Sequence, residues 1–259
     1  MPIRRQSQRG FTLTELLLVM AVIGFLAVLT ASGIPAARER ARRTACLSQL
    51  RQLHLAASLY AADYRDFLPG AGESNSLGAG RNIYLPLVST NVRNALLQSL
   101  PDARLLDCPN LQGVFARSND WRQPHSTRSV QLGYLYLGGR PETPWSNSVP
   151  PVTGTWASPQ RLSDSPTEPL FTDHAYVAAC TSRIVLAHAR TGPWARHAPE
   201  HFQQAQELQA STQALKLVAG VNLVRLDGAA HWRPRSELRW RRAARENPGS
   251  DNATCMALW

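Results

Sequence analysis

The feature that most constrains this chain is a run from Leu16 to Ala37 that contains no Asp, Glu, Lys, Arg or His. A helix over this run would be about 33 Å long at 1.5 Å per residue, which matches a bilayer hydrocarbon thickness of about 30 Å. The apolar residues surround this helix rather than lying on one face, which is typical of a lipid-embedded segment. We therefore expect one transmembrane helix near the N-terminus.

A single carboxylate, Glu15, stands at the start of this apolar run. An acid at the middle of a membrane helix costs about 2.5–3.5 kcal/mol on insertion scales, and a positively charged partner lowers that cost. A secretory signal peptide, cleaved near residues 31–33, is the alternative interpretation of the segment, but it gives this acid no purpose. We therefore expect Glu15 to have a positive partner.

The stretch Gly10-Phe11-Thr12-Leu13-Thr14-Glu15, followed by the apolar run, resembles the signal of type IV pilins and type II secretion pseudopilins. The resemblance implies that a prepilin peptidase cleaves after Gly10 and that the new N-terminus, Phe11, is N-methylated. In a filament of packed helices, the Phe11 amine of a neighbouring subunit can supply the positive partner of Glu15. This pairing would set the register of subunits in a filament. The alternative is that Glu15 lies in the headgroup layer without a role.

After the apolar run, the spacing of apolar residues changes to three and four, which predicts an amphipathic helix. We expect one spine helix from Thr12 to about Asp63, roughly 78 Å long at 1.5 Å per residue, with a kink at Pro35. Pro69-Gly70 would end it. The predicted buried stripe consists of Cys46, Leu50, Leu53, Ala57, Tyr60 and Tyr64.

Four later segments resemble one branch of the pilin-like proteins, the prepilin-like proteins of planctomycete-type bacteria with a C-terminal H-x9-DG pattern. In this chain Asp227-Gly228 stands for the DG, but the position of the pattern's His is occupied by Leu217. The role of that His therefore does not transfer to this chain. The similar segments are residues 46–69, Leu105–Asn110, Leu132–Gly139 and Val221–Trp232.

The remaining sequence predicts a loop-rich antiparallel head. We expect loops with short elements over 70–129 and a long surface loop over 138–169. A helix is predicted over Glu200–Leu217, a short basic helix over Arg235–Arg245 and a mobile tail after Pro248. The predicted strands are Gln131–Leu137, Leu170–Thr172, Arg183–His188 and a hairpin, Val221–Arg233, that turns at Asp227-Gly228.

These elements predict an α+β, pilin-like fold: a long N-terminal spine helix, half transmembrane and half amphipathic, packed on a loop-rich antiparallel β head. The expected domains are a leader peptide (1–10), a transmembrane and assembly helix (11–37), the amphipathic continuation of the spine (38–66) and a globular periplasmic or extracellular head (67–259).

The charge and the tryptophans leave two binding hypotheses open. The net charge is +10, but the basic residues are scattered apart from Arg38–Arg43 and Arg233–Arg245, so we do not expect nucleic acid as a partner. Tryptophans in polar loops could contact a glycan or a protein, although packing beneath the loops is the preferred interpretation. They are Trp121, Trp145, Trp156 and Trp194.

Cysteines and histidines give two further hypotheses. The four cysteines form no C-x-x-C pair, and in an exported protein they could form up to two disulfides in any of three connectivities. Buried free thiols are the alternative. A weak metal-binding set would need His197 and His201 on one helix face, which Pro199 disfavours. The cysteines are Cys46, Cys108, Cys180 and Cys255, and the weak metal candidates are Asp173, His174, His197 and His201.

The sequence thus predicts a structural subunit of a type II secretion pseudopilus or a type IV-pilus-like filament, with no enzymatic activity and no cofactor. The expected partners are a prepilin peptidase, other pilin or pseudopilin subunits, an inner-membrane assembly platform with its ATPase, and membrane lipid. The subunit would be single-pass in the inner membrane with a periplasmic head, and the filament would lie in the periplasm or at the cell surface. The alternatives are a membrane-anchored metal-dependent enzyme and a DNA- or glycan-binding minor pilin.

Overall fold

The computed structural model describes a large part of the chain in two units, Met1–Ala41 and Arg42–Trp259, which are treated separately below. The described residues are 11–31, 34–70, 85–111, 121–122, 129–141, 143, 156–178, 183–190, 192–197, 213, 215–242 and 255–259.

The N-terminal unit contains α1 (Leu13–Ala31), which begins with a reciprocal pair of hydrogen bonds. The backbone N–H of Thr12 donates to Glu15 Oε2 at 2.9 Å, and the Glu15 N–H donates to the Thr12 hydroxyl at 3.3 Å. This capping box satisfies two N–H groups that no helical carbonyl can reach. The predicted N-terminal helix is confirmed, whereas no helix among the described residues is both long and apolar enough to cross a membrane.

The second helix, α2 (Ile34–Asp63), ends where the sequence predicts. Pro35 lies in its first turn, where the missing N–H removes no helical hydrogen bond. Arg65 and Asp66, with φ of 54° and 70°, end the helix before Pro69-Gly70 is reached. Most of the predicted stripe is confirmed as buried, although Tyr64 is exposed and stacks on Tyr60. The buried residues of α2 are Cys46, Leu50, Leu53, Ala56, Ala57 and Ala61.

The rest of the C-terminal unit is an antiparallel β structure with one further helix, α3 (Thr90–Ser99). The described strands form a two-stranded sheet β1-β2, a four-stranded sheet β3-β4-β8-β9 and a five-stranded sheet β10-β11-β5-β6-β7. They are β1 (Val88–Ser89), β2 (Ser129–Val130), β3 (Tyr134–Tyr136), β4 (Pro169–Asp173), β5 (Ala175–Ala178), β6 (Arg183–Ala189), β7 (Gly192–His197), β8 (Gly220–Arg225), β9 (Ala230–Pro234), β10 (Trp240–Arg242) and β11 (Cys255–Leu258). The α+β class is therefore confirmed.

The predicted hairpin is confirmed as β8 and β9, with its turn at Asp227-Gly228. Gly228 has φ +80°, a conformation that glycine adopts without steric cost. The Asp227 carboxylate accepts a hydrogen bond from the N–H of Ala229 at 2.9 Å and therefore stabilises the turn.

The main hydrophobic core joins α2 and α3 to strands of both larger sheets. Leu50 and Leu53 of α2 are fully buried there, together with Leu96 of α3 and Phe171 of β4. Burial of a side chain of this size contributes about 1.5–3 kcal/mol, so this core accounts for much of the stability of the unit.

Two predictions about the C-terminal residues are wrong. The expected basic helix over Arg235–Arg245 is a short 3₁₀ turn, Arg235–Glu237, followed by strand β10. The expected mobile tail contains β11, which pairs with β10 on one side and β5 on the other. Backbone pairing with partners distant in sequence overrides the local preference of the basic segment for a helix.

Two other predictions differ from the structure in extent, and a third is largely untested. Within the region expected to be loops, Ser89 caps the helix α3 by accepting a hydrogen bond from the N–H of Val92. The strand expected over Gln131–Leu137 is limited to β3. Most of the helix predicted over Glu200–Leu217 lies outside the described residues.

Candidate functional site

The residues of the N-terminal signal occupy the start of α1. Phe11 is 76% exposed, and the Glu15 carboxylate also accepts a hydrogen bond from the Thr12 hydroxyl at 2.7 Å. Gly10 lies outside the described residues. The sequence analysis missed the helix-capping role of Glu15, although Thr12-x-x-Glu15 is a recognisable capping signature.

A second group of reactive side chains meets in the core of the C-terminal unit. Cys46 lies on the buried face of α2, and Cys108 follows the 3₁₀ turn Ala103–Leu106. The two thiols are free, and their sulfur atoms are 3.6 Å apart. Cys46 is 0% and Cys108 1% exposed, so this pair is closed to solvent.

A buried carboxylate, Asp173 at the end of β4, completes a three-residue cluster with these thiols. One of its oxygens and the two sulfur atoms all lie within 4.8 Å of one another. Oδ2 accepts a hydrogen bond from the backbone N–H of Asn222 at 2.7 Å. Oδ1 has no hydrogen-bond partner among the described residues. We call Cys46, Cys108 and Asp173 the thiol–carboxylate cluster.

His188 of β6 is the residue that faces this carboxylate, with Nε2 3.2 Å from Asp173 Oδ2. The Asn110 amide nitrogen donates to the carbonyl of Ala187 at 2.8 Å and lies 3.1 Å from His188 Nδ1. The part of the Asn110 side chain that faces the Ala187 carbonyl must be its NH₂ group, because a carbonyl only accepts hydrogen bonds. The same NH₂ group therefore donates to His188 Nδ1, which must be the nitrogen without a proton. The proton of neutral His188 is therefore on Nε2, the nitrogen that lies near Asp173.

The two thiols have unequal acidities. A hydrogen bond from Cys108 lowers the pKa of Cys46 to about 7, against the opposing effect of burial. Burial, and then the hydrogen bond to Cys46, raise the pKa of Cys108. Cys46 is thus the first of the pair to become a thiolate, the form that binds metals.

Aromatic and cationic side chains cover the histidine side of the cluster. The Trp232 ring contacts the His188 ring edge-on, with centroids 5.6 Å apart. The Arg43 guanidinium lies 4.1 Å from the centroid of the Trp232 ring, and the Asn222 amide donates to the Arg43 carbonyl at 3.1 Å. A sealed group of thiols and a carboxylate can bind a soft divalent cation but cannot admit an organic substrate.

The weak metal set from the sequence is not assembled as expected. His174 follows Asp173 directly, and its Nε2 lies 2.8 Å from the Leu132 carbonyl. Burial lowers the pKa of His174 to about 4 and keeps the ring neutral. His197 belongs to strand β7, so the expected helix with His201 does not begin there. His201 lies outside the described residues.

Only Asp173 of that set belongs to the thiol–carboxylate cluster. The sequence analysis missed its combination with Cys46, Cys108 and His188 because these residues are widely separated along the chain. In the sequence, the cysteines were the feature that could have indicated this cluster. Cys180 lies outside the described residues and the backbone of Cys255 is in β11, so disulfide formation stays a prediction.

Two of the four loop tryptophans, Trp121 and Trp156, are packed rather than exposed, whereas Trp145 and the side chain of Trp194 lie outside the described residues. Trp121 is 7% and Trp156 8% exposed. The Trp121 indole N–H donates to Asp107 at 2.7 Å, and the Trp156 ring contacts the Trp259 ring edge-on. These two residues therefore do not offer a free surface to a glycan.

Two family models match the chain. One, described as the prokaryotic N-terminal methylation motif, matches residues 5–31 and so includes Gly10, Phe11 and Glu15. The other, described as a protein of unknown function (DUF1559), matches residues 35–132, which include α2, α3, Cys46 and Cys108. With its methylation motif, N-terminal helix and antiparallel sheets, this chain is similar to type IV pilins and pseudopilins.

A curated relative is the type II secretion system core protein G of Klebsiella michiganensis. It is 38% identical over 60 residues, which cover 23% of this chain and 42% of the relative. The chain therefore spans about two fifths of the length of that protein. No solved structure matches the chain.

Proposed function

We propose that this protein is a structural subunit of a type II secretion pseudopilus or a type IV-pilus-like filament. The observation that carries the proposal is the methylation motif over residues 5–31 at the start of a helix with exposed apolar side chains. The similarity to a secretion-system core protein supports the same function. Assembly then depends on helix packing and requires no chemistry by the head.

The proposed maturation begins with cleavage after Gly10 by a prepilin peptidase, followed by N-methylation of Phe11. The segment 1–10 is then a leader peptide, 11–37 the assembly helix, 38–66 the amphipathic half of the spine and 67–259 the head. The proposed partners are the peptidase, other pilin or pseudopilin subunits, and an inner-membrane assembly platform with its ATPase.

The surface of α1 supports burial by lipid or by other subunits. Its large apolar side chains are exposed in the isolated chain, at an unfavourable cost of about 25 cal/mol per Å² of apolar surface. We propose that membrane lipid covers them before assembly and neighbouring spine helices cover them afterwards. The subunit would thus be anchored in the inner membrane with its head in the periplasm. These side chains include Leu13, Leu16, Leu17, Leu18, Met20, Ile23, Phe25 and Leu26.

Glu15 connects helix initiation to assembly in this proposal. Both hydrogen bonds from Thr12 end on Oε2, so Oε1 is available, among the described residues, for a further donor. The methylated amine of Phe11 in an adjacent subunit is a donor of the right charge. The capping box would therefore hold the carboxylate in place for the neighbouring amine.

Mass spectrometry of the mature N-terminus tests the proposal. The expected mature protein begins at Phe11 and carries one methyl group, and mutation of Gly10 should leave the leader attached. A mature terminus near Ile34 would instead mean release by ordinary signal peptidase and would contradict the proposal. Shearing of filaments from cells, with detection of this subunit in the filament fraction, tests assembly independently of cleavage.

A further inference from the structure

We propose that Cys46, Cys108 and Asp173 bind a Zn²⁺ ion in the core of the head, where the ion fastens α2 to the β structure. This inference rests on the geometry of the thiol–carboxylate cluster and is independent of the proposed filament function.

The ligand types suit zinc. Zn²⁺ is bound in proteins by thiolate, imidazole and carboxylate groups, and the combination of soft thiolates with one oxygen ligand favours it over Mg²⁺ or Ca²⁺. The three residues come from α2, the segment after the 3₁₀ turn and the end of β4. Three protein ligands leave one tetrahedral position, which water fills in sites of this ligand number.

The distance between the sulfur atoms favours a shared ion over a covalent bond. Two thiolates on a tetrahedral zinc, each about 2.3 Å from the metal, lie about 3.8 Å apart. The sulfurs of Cys46 and Cys108 are 3.6 Å apart. A disulfide would bring them to about 2.05 Å and would require both side chains to move. The observed arrangement needs only small adjustments to accept the ion.

The burial of the Asp173 carboxyl group is the second, independent observation. This carboxylate is fully buried, and Oδ1 has no hydrogen-bond partner among the described residues. Buried charges in proteins are paired or bind metals, because an uncompensated ion in a low-dielectric interior is strongly unfavourable. A zinc ion would neutralise the carboxylate directly.

His188 and Asn222 act as positioning residues for this carboxylate. The Asn222 N–H donates to Oδ2 at 2.7 Å, and His188 Nε2 lies 3.2 Å from the same oxygen. Oδ1 has no hydrogen-bond partner among the described residues. Hydrogen bonding of this kind orients metal-binding carboxylates and typically changes affinity by about 10–100-fold.

Metal binding would connect parts of the chain that are distant in sequence. Ion binding replaces two thiol protons, so both protons are released to solvent. Since such a site cannot exist in the unfolded chain, occupancy by Zn²⁺ stabilises the folded head.

The test is the metal content of the full-length protein, purified in detergent without chelators and measured by inductively coupled plasma mass spectrometry. We expect about one zinc per chain in the wild type. Cys46→Ser, Cys108→Ser and Asp173→Asn should each reduce it at least tenfold.

His188→Gln should weaken Zn²⁺ binding about 10–100-fold, measured by competition with a chelating dye, without abolishing it. The matched controls are Cys180→Ser, which removes a different thiol, and Asp227→Asn, which removes a carboxylate in the exposed hairpin turn; both should retain the metal.

Replacement of zinc by Co²⁺ gives a second test of the site that uses the wild-type protein. This test does not depend on whether the cysteine and aspartate variants fold. The expected result is a thiolate-to-cobalt absorption band, lost on addition of Zn²⁺. A strong chelator should lower the thermal midpoint, and added Zn²⁺ should restore it. Two outcomes would overturn the proposal: a metal content as low as that of the cysteine variants, or a protein with Cys46 and Cys108 joined as a disulfide, identified by peptide mass spectrometry.

Discussion

Gly133 lies so close to Cys108 that a Cβ atom on Gly133 would be 2.1 Å from the Cys108 backbone nitrogen. The Gly133 N–H also donates to the Leu106 carbonyl at 2.7 Å. The segment carrying Cys108 is thus held against the residues that lead into β3. This close contact positions one of the two buried thiols.

Gly133→Ala should destabilise the head because the backbone of the Cys108 segment cannot move away without losing this contact. Overpacking of this kind costs about 1–3 kcal/mol, and a clash with backbone lies at the upper end of that range. Urea denaturation followed by tryptophan fluorescence measures the change. Gly70→Ala is the control, since a Cβ there meets nothing within 4 Å. Equal midpoints for the two variants would contradict the explanation.

Arg140 is fully buried, and its guanidinium donates to the carbonyls of Leu85 at 3.0 Å and Leu87 at 2.8 Å. Arg140→Met should remove both hydrogen bonds and cost about 1–3 kcal/mol in the free energy of unfolding. Arg140→Lys should restore little, because the shorter lysine side chain does not place its ammonium where Nη2, the single donor of both hydrogen bonds, lies. Arg104→Met, at an exposed surface pair, should be indistinguishable from wild type in the same denaturation experiment.

Leu50 and Leu55 allow a matched comparison on α2. Leu50 is 0% exposed and Leu55 is 58% exposed. Leu50→Ala should cost about 2–5 kcal/mol through lost burial and the cavity left behind. Leu55→Ala should change stability by less than about 0.5 kcal/mol. Similar denaturation midpoints for both variants would show that this helix face does not contact the core in solution.

Glu15→Ala and Thr12→Ala separate the two roles of the capping box. Each change breaks the reciprocal pair, because Glu15→Ala removes the acceptor of the residue 12 N–H and Thr12→Ala removes the acceptor of the residue 15 N–H. Only Glu15→Ala removes the carboxylate proposed to meet the neighbouring amine. We expect Glu15→Ala to abolish filament assembly and Thr12→Ala to retain most of it, as measured by immunoblots of sheared filaments. Mass spectrometry of both variants checks that cleavage after Gly10 is intact. Normal filament yield in Glu15→Ala would reject the assembly role.

Deletion of residues 255–259 tests the unexpected position of the C-terminus. Strand β11 lies between β10 and β5, so its loss removes two ladders and the buried Trp259. We expect a lower thermal midpoint and faster proteolysis of the head. If the truncated chain melts at the wild-type temperature, these residues do not form an interior strand.

Local patterns were sufficient for several elements. The three- and four-residue spacing predicted the buried face of α2, because a helix repeats every 3.6 residues whatever packs against it. Asp227-Gly228 predicted the hairpin, since the turn conformation depends mainly on the residues within it. Thr12 and Glu15 likewise determine the start of α1 through local hydrogen bonds, although the sequence analysis did not recognise this capping box.

Other elements depend on partners that a local pattern does not contain. Residues 240–242 belong to a basic segment that suggests a helix, yet they extend beside β11 because both strands then satisfy their backbone groups. The same is true of the buried cluster. Cys46, Cys108 and Asp173 are unremarkable separately, and only folding brings their ligand atoms within 4.8 Å of one another.

The sequence alone therefore determined the N-terminal signal, the helical spine segments, the hairpin and the α+β class, because each depends on residues near one another in the chain. The tertiary structure decided which strands pair, where the C-terminus lies and which of the cysteines meet. These outcomes depend on the burial of apolar surface and the pairing of backbone groups between distant segments, whose free energies are set only once the segments are in contact.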